Sequence, residues 1–127
     1  MKKYIYILIG LLFFAGVVWL IMTPGRAGGS NKYDGFAQCL TERGAIFYGA
    51  FWCPHCQDQK AEFSRSVKYV PYVECSTPDG KSQLQVCKDA GIVTYPTWQF
   101  NASTTDRILG KVEMSTLAEK TGCALPQ

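Results

Sequence analysis

The sequence predicts an α/β domain with a mixed central sheet of about four strands flanked by helices, preceded by one N-terminal transmembrane helix. Three observations lead there. From Tyr4 to Met22 the chain runs nineteen residues without a charge. Beyond that run, helical and strand-like segments alternate and then give way to a hairpin. At the first junction from strand to helix lies Cys53-Pro54-His55-Cys56.

Composition narrows the possibilities. The chain has 127 residues, 47% of them hydrophobic and 18% charged, with six cysteines and a single histidine. The 100 residues after Ala27 are enough for one compact core but not for two. Lys2, Lys3 and Arg26 account for the whole net charge of +3, so the folded part is formally neutral and offers no basic face for nucleic acid. One histidine excludes a multi-histidine metal site, and any Cys-His or Ser-His-Asp arrangement would have to use His55.

Residues 4–22 would span about 28 Å as a helix, close to the hydrocarbon thickness of a bilayer. Tyr4, Tyr6 and Trp19 sit near the two ends of this run, where interfacial aromatics belong. A cleaved signal peptide is the alternative, but its apolar stretch is shorter and ends in a small-x-small site. Two lysines before the span against one arginine after it favour a cytoplasmic N-terminus. The expected organisation is therefore a single-pass cell-membrane anchor over residues 1–22 and a flexible Pro/Gly/Ser linker over 23–32. A folded domain over 33–127 then faces the periplasm or the cell exterior.

Within that domain, Tyr33, Phe36, Ala37 and Leu40 recur at helical spacing, and Gly44 closes the helix. Ala45 to Gly49 reads as a buried strand. After Cys56, the positions of Phe63, Val67 and Val70 predict one amphipathic helix, stopped by Pro71. Tyr72 to Cys75 is a second strand, and Thr77-Pro78-Asp79-Gly80 is a turn. Ser82 with Gln85 suggests a capping box for a short helix ended by Ala90-Gly91. Thr97 to Phe100 and Arg107 to Leu109 are strands either side of a polar turn. Met114, Leu117 and Ala118 mark a last helix, ended by Gly122. The βαβ unit demands a parallel pair.

The cysteine pair carries the chemistry. A thiol at a helix N-terminus faces unpaired N–H groups and the positive end of the helix dipole, which favour the reactive thiolate. Pro54 is tolerated there because the first turn needs no donor from it. His55, if protonated or donating, stabilises the same sulfur further. Cys53 is the nucleophile candidate, and Cys56, one turn in and less exposed, is the resolving thiol. Stabilising the thiolate makes the disulfide more oxidising. A static disulfide is one alternative. A zinc-stabilised binding module is another, with Cys75 and Cys87 completing the ligand set, but the spacings of two, eighteen and eleven intervening residues lack a second close pair.

Trp52-Cys53-Pro54-His55-Cys56 followed by Tyr95-Pro96-Thr97 resembles the thioredoxin superfamily. Tyr48 to Lys60, Pro71 to Cys75, Cys87, Ala90-Gly91-Ile92 and Tyr95 to Trp98 resemble one branch in particular. That branch is the thioredoxin-like domain fused to, or partnered with, bacterial homologues of vitamin K epoxide reductase. The resemblance covers roughly Phe36 to Ala118 and implies a thioredoxin-like fold. It implies a redox-active disulfide with no other cofactor. It also implies a disulfide donor to exported cysteine-containing proteins, reoxidised by the membrane enzyme, which passes electrons to quinone. The Pro-His dipeptide is the one found in the oxidant DsbA. In the family the proline matching Pro96 is cis and lies against the active cysteines, so Tyr95 and Pro96 are substrate-binding candidates. Trp52 and Trp98 are candidates for an apolar rim or for the core. Reducing thioredoxins carry a buried acid six residues before the first cysteine; here that position is Phe47, which weakens the alternative of a tethered reductase or isomerase.

The other four cysteines are structural candidates. A Cys75–Cys87 bond would staple the loop between them, worth roughly 3 kcal/mol in the entropy model. Cys39 and Cys123 fall where the ends of the domain approach, as a bond or as two buried thiols. A relay role for Cys75 or Cys87 is a further alternative. An even cysteine count suits an oxidising compartment. Asn101-Ala102-Ser103 matches a glycosylation sequon and is assigned no role.

Overall fold

The computed structural model describes Gly10, residues 12–19 and residues 31–127. The chain divides into two units between Ser30 and Asn31. Of the first, Gly10 and residues 12–19 are helical. Among the described residues no helix is long and apolar enough to cross a membrane. The rest of the expected anchor over 1–22, and the linker up to Ser30, lie outside the described residues.

In the second unit, α1 (Asp34–Glu42) buries Phe36, Ala37 and Leu40 on one face, as their spacing predicts. Gly44 then adopts a φ of +71°, open to glycine at little cost, and turns the chain into β1 (Ile46–Gly49). The helix α2 (Pro54–Glu62) follows, then a 3-10 helix (Ser64–Tyr69), β2 (Tyr72–Glu74), α3 (Gln85–Asp89), β3 (Thr97–Gln99), β4 (Arg107–Leu109) and α4 (Met114–Thr121). The sheet has four strands in the order β2-β1-β3-β4. β1 pairs parallel with β2, while the β1–β3 and β3–β4 pairs are antiparallel, so the βαβ unit and the hairpin fall as predicted.

The main core is aromatic. Phe47 stacks on Trp98 with ring centroids 4.8 Å apart, and Trp98 stacks on Phe100 at 6.4 Å. Phe63 reaches the same cluster from the end of α2 and stacks on Phe36 at 6.1 Å. Trp98 is fully buried, which assigns it to the core and not to a rim.

Two local expectations are corrected. The helix after Cys56 is not continuous through Val70. It ends at Glu62, Phe63 N–H bonds back to Lys60 C=O, and Ser64 takes a φ of +51°. The backbone then bonds three residues back, from Ser66 to Phe63 and from Val70 to Val67. The burial period falls from 3.6 towards 3, so Ser66 is buried where Val67 was expected. The capping box is also absent: Leu84 is the N-cap of α3. Ser82 is already committed to the preceding turn, its N–H bonding to Thr77 Oγ1 and its C=O accepting from Thr77 N–H.

Two covalent links close the domain. Cys39 is bonded to Cys123 across 84 residues, with Cα atoms 5.9 Å apart, joining α1 to the segment after α4. Cys75 is bonded to Cys87 with Cα atoms 5.5 Å apart, fixing α3 against the end of β2.

Candidate active site

Sheet register decides which residues share an edge. The end of β1 leads through Ala50-Phe51-Trp52 into Cys53. Parallel pairing sets Gly49 opposite Glu74, so the end of β2 lies beside that exit. Antiparallel pairing sets Tyr48 opposite Thr97, so Tyr95 and Pro96, just before β3, reach the same edge. The Tyr95–Pro96 peptide is cis. Trp52 and Tyr95 meet edge to face at 6.1 Å.

Cys53 is the N-cap of α2 and Pro54 its first residue, the position at which a missing N–H costs nothing. Cys56 lies one turn in. Cys53 is 5% exposed and Cys56 fully buried, and both are free thiols. Burial, reinforced by the Cys53 thiol, pushes the Cys56 pKa up to about 12, against a smaller opposing pull from the Ala50 amide and Lys60. His55 is exposed and makes no hydrogen bond within the described residues, so the expected contact with the Cys53 sulfur is not formed.

The exit loop is held by two side chains that pattern reading passed over. Glu74 accepts from Phe51 N–H at 3.2 Å, Ser76 N–H at 2.8 Å and Tyr72 O–H at 2.7 Å. Gln57 donates to Phe51 C=O at 2.7 Å. A third, Gln59, is fully buried on α2. Its carbonyl oxygen accepts from Val112 N–H at 2.7 Å and from the Trp98 indole at 3.2 Å, while its amide donates to Val112 C=O at 3.0 Å. Neither hydropathy spacing nor motif matching flags a polar residue on the buried face of a helix. Only its neighbours do.

On the outer side, Phe51 and Trp52 stand about half exposed. The Trp52 indole donates to Ser76 Oγ at 2.8 Å, and Trp52, Ser76, Gly80, Gln83 and Tyr95 line a cavity of about 190 Å³. Pro96 is fully buried and its C=O accepts from Gly110 N–H, but neither the N–H nor the C=O of Tyr95 is hydrogen-bonded within the described residues. The structure thus brings Trp52, Cys53, Pro54, Cys56, Tyr95 and Pro96 together. Cys75 and Cys87 are bonded to each other beside this edge, so the four-cysteine zinc set is not assembled. Among the described residues no group of three metal-ligating side chains is placed to hold an ion. Cys39, on α1, is bonded to Cys123.

A mixed four-stranded sheet flanked by helices, with a Cys-x-x-Cys pair where β1 feeds a helix and a cis-proline at the start of β3, is a thioredoxin-like α/β arrangement. The chain is 45% identical over 97 residues to the thiol-disulfide oxidoreductase LTO1 of Arabidopsis thaliana. That match takes in 72% of this chain but only 24% of LTO1, so the chain spans about a quarter of that relative's length. Among solved structures it is similar to oxidised mitochondrial thioredoxin 3 of Saccharomyces cerevisiae, with a TM-score of 0.38 and 20% identity over 65% of this chain and 88% of that one. No family model matches the sequence.

Proposed function

We propose that this chain is a membrane-anchored thiol–disulfide oxidoreductase that donates the Cys53–Cys56 disulfide to exported cysteine-containing proteins. The observation that carries the proposal is the placement of Cys53 at the N-cap of α2, above a fully buried Cys56 and beside a Tyr95 backbone with no partner among the described residues. In the oxidised protein a substrate thiolate attacks the Cys53 sulfur. The Cys53–Cys56 bond breaks, a mixed disulfide forms at Cys53, and Cys56 leaves as thiolate. A second substrate thiolate then attacks the substrate sulfur of that mixed disulfide and releases Cys53. The substrate has lost two electrons and the pair has gained them. The Tyr95 N–H and C=O, unbonded among the described residues, can pair with an extended substrate segment, and Trp52 offers an apolar face beside it. The cysteine pair is the redox group, and no other cofactor is called for.

The name of the Arabidopsis relative supports this class of activity. Phe47, stacked in the core six residues before Cys53, favours donation over reduction, because no carboxylate there assists the resolving thiol. Residues 1–22 supply the anchor in this reading, with the N-terminus cytoplasmic and the domain outside. A separate homologue of vitamin K epoxide reductase reoxidises the pair.

The test is trapping. The full chain carrying Cys56→Ser, expressed in its host membrane, accumulates mixed disulfides at Cys53 with exported proteins and with the reoxidising enzyme, and Cys53→Ser abolishes all of them. Adducts with exported proteins but none with a membrane enzyme would remove the reoxidation partner. No adducts of either kind would remove the donor reading.

A further inference from the structure

The Cys56 thiolate appears in the exchange step whichever way electrons flow, as the group that leaves when the Cys53–Cys56 bond is attacked or as the nucleophile that re-forms it. A thiolate in a fully buried position needs compensation. The carboxylate that could help from β1 is replaced by Phe47, so something else must face that sulfur.

The groups around it come from two elements. On α2, Cys53 and Lys60 face Cys56, with Lys60 four residues on and therefore on the same side of the helix. On β2 stand Tyr72 and Glu74. The Lys60 ammonium sits 3.3 Å above the centre of the Tyr72 ring, and Tyr72 O–H is fixed by Glu74 at 2.7 Å. The ring is drawn in against the thiol by Gly49. A β-carbon there would lie 2.9 Å from Tyr72 Cε2 and 3.0 Å from Cys56 Sγ, so only a glycine lets ring and sulfur crowd the same spot. Ring, ammonium and thiol thus form one packed cluster, with the ring as the seat that keeps the flexible lysine in place.

We infer that Lys60, seated on Tyr72 and braced through Glu74, is the positioning residue for the Cys56 step: its fixed positive charge stabilises the departing or attacking Cys56 thiolate. Lys60 gives up no proton and forms no bond. When the disulfide is attacked, the electron pair of the Cys53–Cys56 bond stays on Cys56, the charge is held opposite the ammonium, and the proton is taken later from solvent. Cys56 and Lys60 act on each other electrostatically in this direction: the lysine pulls the thiol pKa down, and the thiolate pulls the lysine pKa up against the lowering effect of burial. The inference rests on reading Cys53–Cys56 as an exchanging pair but not on the direction of exchange.

Two measurements on the full chain test it. The first is the rate at which Cys56 attacks a mixed disulfide between Cys53 and glutathione at about pH 8, where Lys60 keeps its charge. That rate falls about threefold in Lys60→Met, because less of Cys56 is thiolate, and Lys60→Arg restores it. The second is the rate at which glutathione opens the oxidised pair, which falls about threefold in Lys60→Met because the leaving thiolate is more basic. In the unaltered chain that rate also depends on salt more steeply than in the variant. Lys60→Gln serves in place of Lys60→Met should the methionine variant fold poorly. Two rates that both stay unchanged in a folded variant overturn the role of Lys60 and leave the exchanging pair intact. Failure of the unaltered chain to exchange at all overturns the reading of Cys53–Cys56 as an exchanging pair, and the role of Lys60 with it.

Discussion

At the scale of the residue, Cys56 is the group whose state most changes the molecule. Its thiol is pushed up from 9.0 to about 12 by burial and by the Cys53 thiol. A folded state that holds a proton more tightly than the unfolded chain is favoured below the unfolded pKa and loses that advantage as pH rises. The reduced protein is therefore expected to lose stability relative to the oxidised one as pH climbs from about 9 towards about 12, since the disulfide form has no proton there to lose. Denaturant unfolding of the two forms across that range checks it. Parallel pH profiles would show that Cys56 is not held as described. The Cys53–Cys56 pair at a helix start was legible because spacing and junction chemistry mark it, and the cis bond before Pro96 was legible only through the resemblance. Lys60, Tyr72 and Glu74 were not, because their significance lies in contacts between α2 and β2 that no local pattern records.

At the scale of the element, Gln59 ties α2 to β3 and to the segment before α4. Gln59 satisfies Val112 N–H, Val112 C=O and the Trp98 indole at once, and it lies fully buried among them. Replacing it by leucine keeps the volume but orphans buried donors and an acceptor. Gln59→Leu is expected to destabilise the domain by about 3 kcal/mol, measured by urea unfolding. A change below about 1 kcal/mol would mean that water or a shifted backbone takes over those bonds. The same helix marks where periodicity misleads. Phe63, Val67 and Val70 fit a 3.6-residue repeat, yet the chain tightens to a 3-10 path at Ser64 and buries Ser66. The capping signal at Ser82 failed for a related reason: a serine can cap only if its backbone is not already held by Thr77. In contrast, the α1, β1 and α4 positions followed from burial spacing and from glycines that close their helices.

At the scale of the whole molecule, the two structural disulfides separate framework from function. The Cys39–Cys123 bond closes most of the domain into one loop, worth about 4.5 kcal/mol in the entropy model, and the Cys75–Cys87 bond a further 3 kcal/mol or about that. That division leaves Cys53 and Cys56 as the free pair, at the edge where the ends of β1 and β2 meet the start of β3. Their placement at a helix N-terminus, without a carboxylate at Phe47, turns the proposed donor role into a question of potential. The direct test is the reduction potential of the Cys53–Cys56 pair in the full chain, equilibrated against glutathione and read by mass-shift labelling of those two thiols alone. A disulfide donor is expected at about −120 mV, as for DsbA. A value of about −270 mV, as for thioredoxin, would contradict the donor role and make the chain a reductase.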